Sequence, residues 1–313
     1  MAVGVIVNPT SGRGYGRQQQ AVILAEFDKR GIEYQDFTSR SMEEATAKAR
    51  VAIAGGSIES IIVAGGDGMA HLGVNLAMEF GLKFGIIPCG TGNDVARALG
   101  LPIDDVVWAT QIVLDHLQLT RFIDVGKGRT NEREFYFIGS VAVGLDSIVN
   151  ARANKMRFPK GPSRYTLAML YELVSFSSLK YRAKIDGKER ELDGMLCAVA
   201  NGPSYGGGML VAPEASIDDG KLDLFVVHKI SKQELIKVFP KVFTGEHVSH
   251  PAVEIIRCES VTLLSDVVPV YADGEPAGAL PAAGAGGVPA VLPGGGGVQG
   301  GRHAVAFSRL CRA

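Results

Sequence analysis

Between Ile61 and Leu99 the sequence IIVAGGDGMAHLGVNLAMEFGLKFGIIPCGTGNDVARAL uses one device twice. An apolar run rich in Ile and Val (Ile61, Ile62, Val63) meets the glycine turn Gly65-Gly66-Asp67-Gly68. An amphipathic segment follows, with Leu72, Leu76 and Phe80 at four-residue spacing on one helical face. A second apolar run (Phe84, Ile86, Ile87) meets Pro88-Cys89-Gly90-Thr91-Gly92-Asn93-Asp94 and then a helix-like segment from Val95 to Leu99. Two strand, glycine-turn and helix units in tandem are the pattern of a parallel α/β sheet.

Glycine at such a turn lets the backbone approach a ligand closely and take positive φ. The N–H groups freed at the following helix start then face an anion, often a phosphate. The plainer alternative is that these glycines only make tight turns. Two turns in succession, each with an aspartate beside its glycines (Asp67, Asp94), favour the phosphate reading. A carboxylate beside phosphate is repulsive unless a cation lies between them, so Mg²⁺ is implied.

The flanking chain extends the same architecture. Val3-Gly4-Val5-Ile6-Val7 is a short buried-strand pattern that ends at Asn8-Pro9-Thr10-Ser11-Gly12-Arg13-Gly14, a turn with the Ser, Gly and Arg suited to phosphate contact. A helix through Val22, Ile23, Leu24 and Phe27 stops at Gly31, Tyr34 to Thr38 is a second strand, and Ser41 with Glu44 is a capping box for the next helix. Alternation of this kind to about Arg121 is what a doubly wound sheet requires.

From Phe122 the texture changes to short β-like runs: Phe135 to Ile138, Tyr181 to Ile185, Met195 to Ala200, Leu222 to Val227 and Val261 to Leu264. Asp186-Gly187, Asp193-Gly194 and Asp219-Gly220 read as the turns between them, which predicts a mainly antiparallel second domain. Within it, Arg164 to Phe176 has helical spacing. Just before it Arg152, Lys155, Arg157, Lys160 and Arg164 interleave with Met156 and Phe158. That run is either a solvated face beside a core helix or a patch for an anionic membrane surface, where each well-placed basic residue contributes about 1 kcal/mol. The expected domains are therefore 1–122 and 123–276. The Gly/Ala/Pro-rich tail 277–313, with Gly294 to Gly297 in a row, is too poor in buriable surface to order and is expected to be disordered.

At 313 residues two domains are the natural count, and 46% hydrophobic residues suffice for full cores. A net charge of −1 gives no general attraction to nucleic acid. The four cysteines (Cys89, Cys197, Cys258, Cys311) have neither metal-ligand spacing nor a disulfide-like pattern, and read as reduced thiols of a cytoplasmic chain. No apolar run is long enough for a signal peptide or a membrane span, so a soluble protein is expected.

Asn8-Pro9 with Ser11-Gly12, Gly65-Gly66-Asp67-Gly68, Gly90-Thr91-Gly92-Asn93-Asp94 and Asp273-Gly274-Glu275, in that order, resemble the bacterial diacylglycerol kinase family of lipid kinases, relatives of the sphingosine kinases. The resemblance runs to about Pro276. It implies an N-terminal α/β domain that binds ATP and a β-rich domain that completes a cleft. It also implies nucleotide contacts at Asn8, Thr38, Gly65, Gly66, Asp67, Gly68 and Thr91, and Mg²⁺ held near Asp67 to align and neutralise the phosphates. By the same resemblance Glu275 is the general base that takes the proton from the lipid hydroxyl, and a structural Mg²⁺ loop falls at Ser216, Asp219 and Lys221, with Asp219 giving its side chain and Ser216 and Lys221 their backbone carbonyls. Without the family, Asp273-Gly274-Glu275 reads as a surface turn, and the 216–221 segment as an ordinary Asp-Gly hairpin turn.

Two features depart from the family. Met69 stands where a threonine is usual, so a hydroxyl near phosphate or metal is missing, and the Asn-Glu that often follows is absent. Relatives also continue past Asp-Gly-Glu with strand-like sequence that returns to the first domain, which the low-complexity tail does not resemble. The sequence therefore points to an ATP- and Mg²⁺-dependent lipid kinase, cytoplasmic and peripheral to the membrane, with diacylglycerol or a similar acyl lipid as substrate. The rivals are an NAD or sugar-phosphate kinase of the same superfamily and a nucleotide-binding protein without catalysis. A dinucleotide dehydrogenase lacks its motif after the first strand. The sequence is silent on oligomeric state, and a homodimer is compatible with it.

Overall fold

β1 (Ala2–Val7) is buried along its whole length and β3 (Ile58–Gly65) at all but one residue, which is why both are written as near-continuous Val, Ile and Ala rather than as an alternation. A computed structural model describes residues 2–14, 16–119, 121–156, 158, 167–169, 171–172, 178–265, 268–280, 290–293 and 303–305. The chain divides into two units, one reaching Ile123 and joined by the strand at 303–305, the other running from Asp124 to Gly301.

In the first unit β1 is followed by a helical turn, α1 (Ser11–Gly14), and by α2 (Gly16–Arg30). Then come β2 (Tyr34–Asp36), α3 (Met42–Ala54), β3, α4 (Asp67–Phe80), β4 (Lys83–Pro88), α5 (Asp94–Ala98), α6 (Val106–Asp115) and β5 (Arg121–Ile123). The Ser41 hydroxyl accepts the Glu44 amide at 3.2 Å and starts α3, as the capping pattern predicts. The strand order is β2-β1-β3-β4, with all these pairs parallel. Phe27, Phe84, Ile61 and Ile86 are among the large side chains fully enclosed around the sheet.

The sheet continues past β4 to β17 (His303–Val305), parallel to β4 and antiparallel to β5. This corrects the expectation that 277–313 is disordered throughout. A short stretch can join a ladder through its backbone amides whatever its neighbours' composition, and the tail contributes β16 (Ala290–Pro293) to the second unit in the same way. The remainder, 281–289, 294–302 and 306–313, lies outside the described residues.

Among the described residues the second unit is an antiparallel assembly with one helix longer than two turns. Its elements are β6 (Gly126–Arg129), β7 (Glu134–Phe137), β8 (Ser140–Gly144), α7 (Leu145–Lys155), β9 (Leu179–Ile185), β10 (Lys188–Ala200), β11 (Leu222–His228) and α8 (Lys232–Val238). β12 (Val253–Cys258), β13 (Val261–Leu264), β14 (Pro269–Ala272), β15 (Glu275–Ala279) and β16 complete it. Along β10 and β11 the side chains divide by the two-residue strand period. Cys197, Val199, Leu224 and Val226 enter one core, while Ala198, Ala200, Phe225 and Val227 enter a second core shared with Leu145, Val149 and Leu235.

Asp193-Gly194, expected to be a turn, lies inside β10. There the register shifts between Gly194 and Leu196, and the strand passes from pairing with β9 alone to pairing with β8 and β11. A glycine in a strand interior marks such an irregularity as readily as a turn. Of the basic run, Arg152 is ion-paired to Glu172 and lies 3.8 Å over the Tyr171 ring, so its charge is already engaged. Arg157, Lys160 and Arg164 lie outside the described residues, as does most of the predicted helix 164–176.

Candidate functional site

Asn8, Thr38, Gly65 to Gly68 and Thr91 are far apart in sequence but follow β1, β2, β3 and β4 in turn. Because these strands are parallel and adjacent, all the predicted nucleotide-binding residues arrive at one edge of the sheet, the carboxyl end of the strands. The order β2-β1-β3-β4 also means that the chain leaves β1 to one side for β2 and returns on the other side for β3. At such a switch point the two connections part and a crevice opens, which is where ligands bind in open α/β sheets. Asn8 and Gly65 flank it, and a Cβ built on Gly65 would lie 3.5 Å from Asn8 Cβ.

Local hydrogen bonds shape this edge. Asn8 Oδ1 accepts both the amide and the hydroxyl of Thr10, at 2.9 and 2.8 Å, which folds the loop after β1 back on itself. Thr38 Oγ1 accepts the Val7 amide at 2.9 Å and so caps the open end of β1. The two glycine turns lie backbone against backbone: a Cβ on Gly90 would come within 2.4 Å of Gly66 Cα. Asn93, at φ 55°, accepts the Gly90 amide through Oδ1 at 2.9 Å and closes the second turn. Part of what the sequence offered as ligand-approach glycine therefore serves the approach of one turn to the other.

Asp67 opens α4, and its Oδ1 accepts the Val95 amide at 3.0 Å, joining the first glycine turn to the start of α5. The N-terminus of the fourteen-residue α4 has no side-chain cap, so its leading N–H groups are directed at the switch point. Met69, the departure from the family pattern, is buried and packs over Gly65, where an added Cβ would meet its Cγ at 2.3 Å. Its side chain fills the underside of the turn. Asp94 is buried, with Arg97 Nε 3.9 Å from its carboxylate.

In the second unit, Glu275 is exposed at the start of β15. The turn before it is a two-residue hairpin in which Asp273 (φ 49°) and Gly274 (φ 82°) both adopt positive φ, the type I′ geometry for which Asp-Gly is suited. Asp273 is not a solvated turn residue. Its buried carboxylate accepts three backbone amides, Gly139 at 2.8 Å, Ser140 at 3.1 Å and Ile138 at 3.2 Å. Just beyond Glu275, Thr130 Oγ1 donates to the Ala277 carbonyl at 2.9 Å and Arg133 donates to the Pro276 carbonyl. The sequence does not reveal these clamps, because they join segments more than 130 residues apart.

The segment Ser216 to Lys221 forms a closed loop before β11. Asp124 Oδ2 accepts the Gly220 amide at 2.6 Å, and the Asp124 amide donates to Ile217 O. Asp219 Oδ1 accepts the Lys221 amide at 2.9 Å and Oδ2 takes Arg257. The carboxylate expected to hold a structural cation is thus already paired with a guanidinium.

One further feature escapes the sequence reading. Leu145, Tyr205, Phe225, Leu235 and His247 line an apolar pocket in the second unit, with Asp146 in its wall. Asp146 is buried, and its Oδ2 has no hydrogen-bond partner among the described residues. Burial raises its pKa to about 7, against a smaller lowering by the Tyr205 hydroxyl. His247, also buried, is pushed down from the ordinary histidine value chiefly by its burial. A lone acid in the run Ser140 to Val149 was the available signal for this pocket.

Residues 2–127 match the family described as diacylglycerol kinase catalytic domain, and residues 139–295 match that described as YegS C-terminal NAD kinase beta sandwich-like domain. A diacylglycerol kinase of Mycobacterium tuberculosis is 36% identical over 282 residues, covering 90% of each chain. One of Bacillus subtilis is 31% identical over 281 residues, covering 88% of this chain and 90% of that one. A solved diacylglycerol kinase structure from Bacillus anthracis has a TM-score of 0.67 at 20% identity, covering 98% of this chain and 97% of that one. At that identity the likeness shows the fold.

Proposed function

The chain belongs to the diacylglycerol kinase family, and from that premise we propose that it is a lipid kinase that moves the γ-phosphate of ATP to the hydroxyl of diacylglycerol or a similar acyl lipid. The observation that carries this reading is the convergence of Asn8, Thr38, Gly65 to Gly68 and Thr91 on the switch point of the parallel sheet. Phosphoryl transfer needs alignment and charge neutralisation more than covalent participation. Backbone N–H groups at the uncapped start of α4 supply both for a phosphate chain.

Mg²⁺ arrives with the nucleotide in this reading. Asp67 supplies an oxygen donor at the same edge, and a carboxylate with phosphate oxygens is an ordinary donor set for that ion. When bound, it neutralises charge on the transferring phosphate. Glu275, exposed and held by the Asp273 turn, takes the proton of the lipid hydroxyl, without which an alcohol is a poor nucleophile. Among the described residues no helix is long and apolar enough to cross a membrane.

The test is transfer of labelled γ-phosphate from Mg-ATP to diacylglycerol in mixed micelles, to sphingoid bases, to NAD and to buffer. Label in diacylglycerol is the expected result. Label in NAD alone moves the chain to the rival kinase. Bound nucleotide with no transfer anywhere leaves a binding protein.

A further inference from the structure

The loop in which the family resemblance places a cation carries a positive charge of its own. Asp219 meets the Lys221 amide with one carboxylate oxygen and the Arg257 guanidinium with the other. Arg257 comes from β12, where it stands in register with Asp223 of β11, a second and buried carboxylate. The rest of the loop is closed by the Gly220 amide on the Asp124 carboxylate, the Asp124 amide on Ile217 O, and Ser216 Oγ donating to Asp218 Oδ1 at 2.6 Å, so two further carboxylates lie beside the one that Arg257 neutralises. Lys221, expected to offer only its backbone carbonyl, turns its ammonium to Glu259.

Guanidinium has five N–H donors and no acceptor. It therefore cannot be a metal ligand, and beside a dication it is repulsive. A magnesium ion needs oxygen ligands at about 2.1 Å in near-octahedral array, and one bound through Asp219 would set a dication against the Arg257 guanidinium. We propose that in this chain Arg257 does the work of the structural cation at the 216–221 loop, which therefore keeps its shape with no divalent ion. All of these residues belong to the second unit, and none takes part in the proposed phosphoryl transfer. It predicts that divalent cations matter to this protein at the nucleotide and not at this loop.

The experiment uses the full chain without nucleotide, as the parent, Arg257→Gln and Asp219→Asn. Thermal unfolding is followed in chelator and in Mg²⁺ at matched ionic strength, and Mn²⁺ binding is read by its electron paramagnetic resonance signal. The parent is expected to melt at the same temperature in both buffers. Arg257→Gln is expected to lose about 2–4 °C in chelator, to recover in Mg²⁺, and to bind Mn²⁺ about tenfold more tightly than the parent, by relief of like-charge repulsion. An Mn²⁺ site in the parent that disappears in Asp219→Asn overturns the proposal. So does an Arg257→Gln chain that melts and binds Mn²⁺ as the parent does. Should that variant fail to fold, the parent and Asp219→Asn comparison decides alone.

Discussion

At the ends of β3 and β4 the loops are held by glycine backbone lying on glycine backbone, with Gly90 and Gly66 too close to admit a Cβ. Before β11 and after β14 they are held by carboxylates, Asp124 and Asp273, that take backbone amides 96 and 135 residues away. The two constructions leave different things to the ligand. Glycine packing leaves the start of α4 without a side-chain cap, and amides at a helix start are what a phosphate needs. Carboxylate anchoring uses the amides up and leaves a side chain, Glu275, standing on a rigid turn, which is what proton transfer needs. Volume limits the first kind of loop, and hydrogen-bond satisfaction limits the second.

The largest break is expected at Asp273. Asp273→Ala strands three backbone amides, two of them fully buried, and should cost about 3–5 kcal/mol in urea unfolding. A loss below about 1 kcal/mol would show that the anchor is replaceable. Next comes Gly90→Ala, where the new methyl meets Gly66 Cα at 2.4 Å and Asn93 Oδ1 at 2.8 Å. About 3 kcal/mol of stability and most of the nucleotide affinity should go with it. Gly220→Ala sharpens the contrast: φ there is +73° with no neighbour within 4 Å, so only the left-handed backbone is taxed, by about 1–2 kcal/mol. Equal losses at Gly90 and Gly220 would mean that the contact between turns is loose.

A further break concerns the slope of stability with pH. The folded Asp146 keeps its proton up to about pH 7, against 3.8 for the ordinary carboxyl. Between those values the native state binds more protons than the unfolded chain, so stability falls as pH rises through that window and levels off above it. Asp146→Asn should flatten that fall in unfolding curves taken across the range. An unchanged slope would assign it to other groups.

Much of the first unit was legible because each strand is followed by its own turn and helix, and both periods are written locally. Ser41 with Glu44, Gly31 as a stop, and the two glycine turns all stand where their residue types place them. The second unit was legible as antiparallel strands but not as a site. Asp273 and Asp124 act across the whole unit, and nothing near them in sequence names the amides they take. Asp193-Gly194 misled for the converse reason: the dipeptide that makes the Asp186-Gly187 hairpin turn also tolerates an irregularity within a strand. The strands at 290–293 and 303–305 were hidden by composition, since ladder pairing depends on the backbone.

The most direct measurement is single-turnover transfer from Mg-ATP to diacylglycerol by Glu275→Gln beside the parent, with nucleotide affinity and thermal stability taken on the same preparations. Glu275 is exposed and bears none of the turn's anchoring bonds, so fold and nucleotide binding should be unchanged while transfer slows by about 10²-fold or more. Transfer within a few-fold of the parent would contradict the assignment of the proton to Glu275.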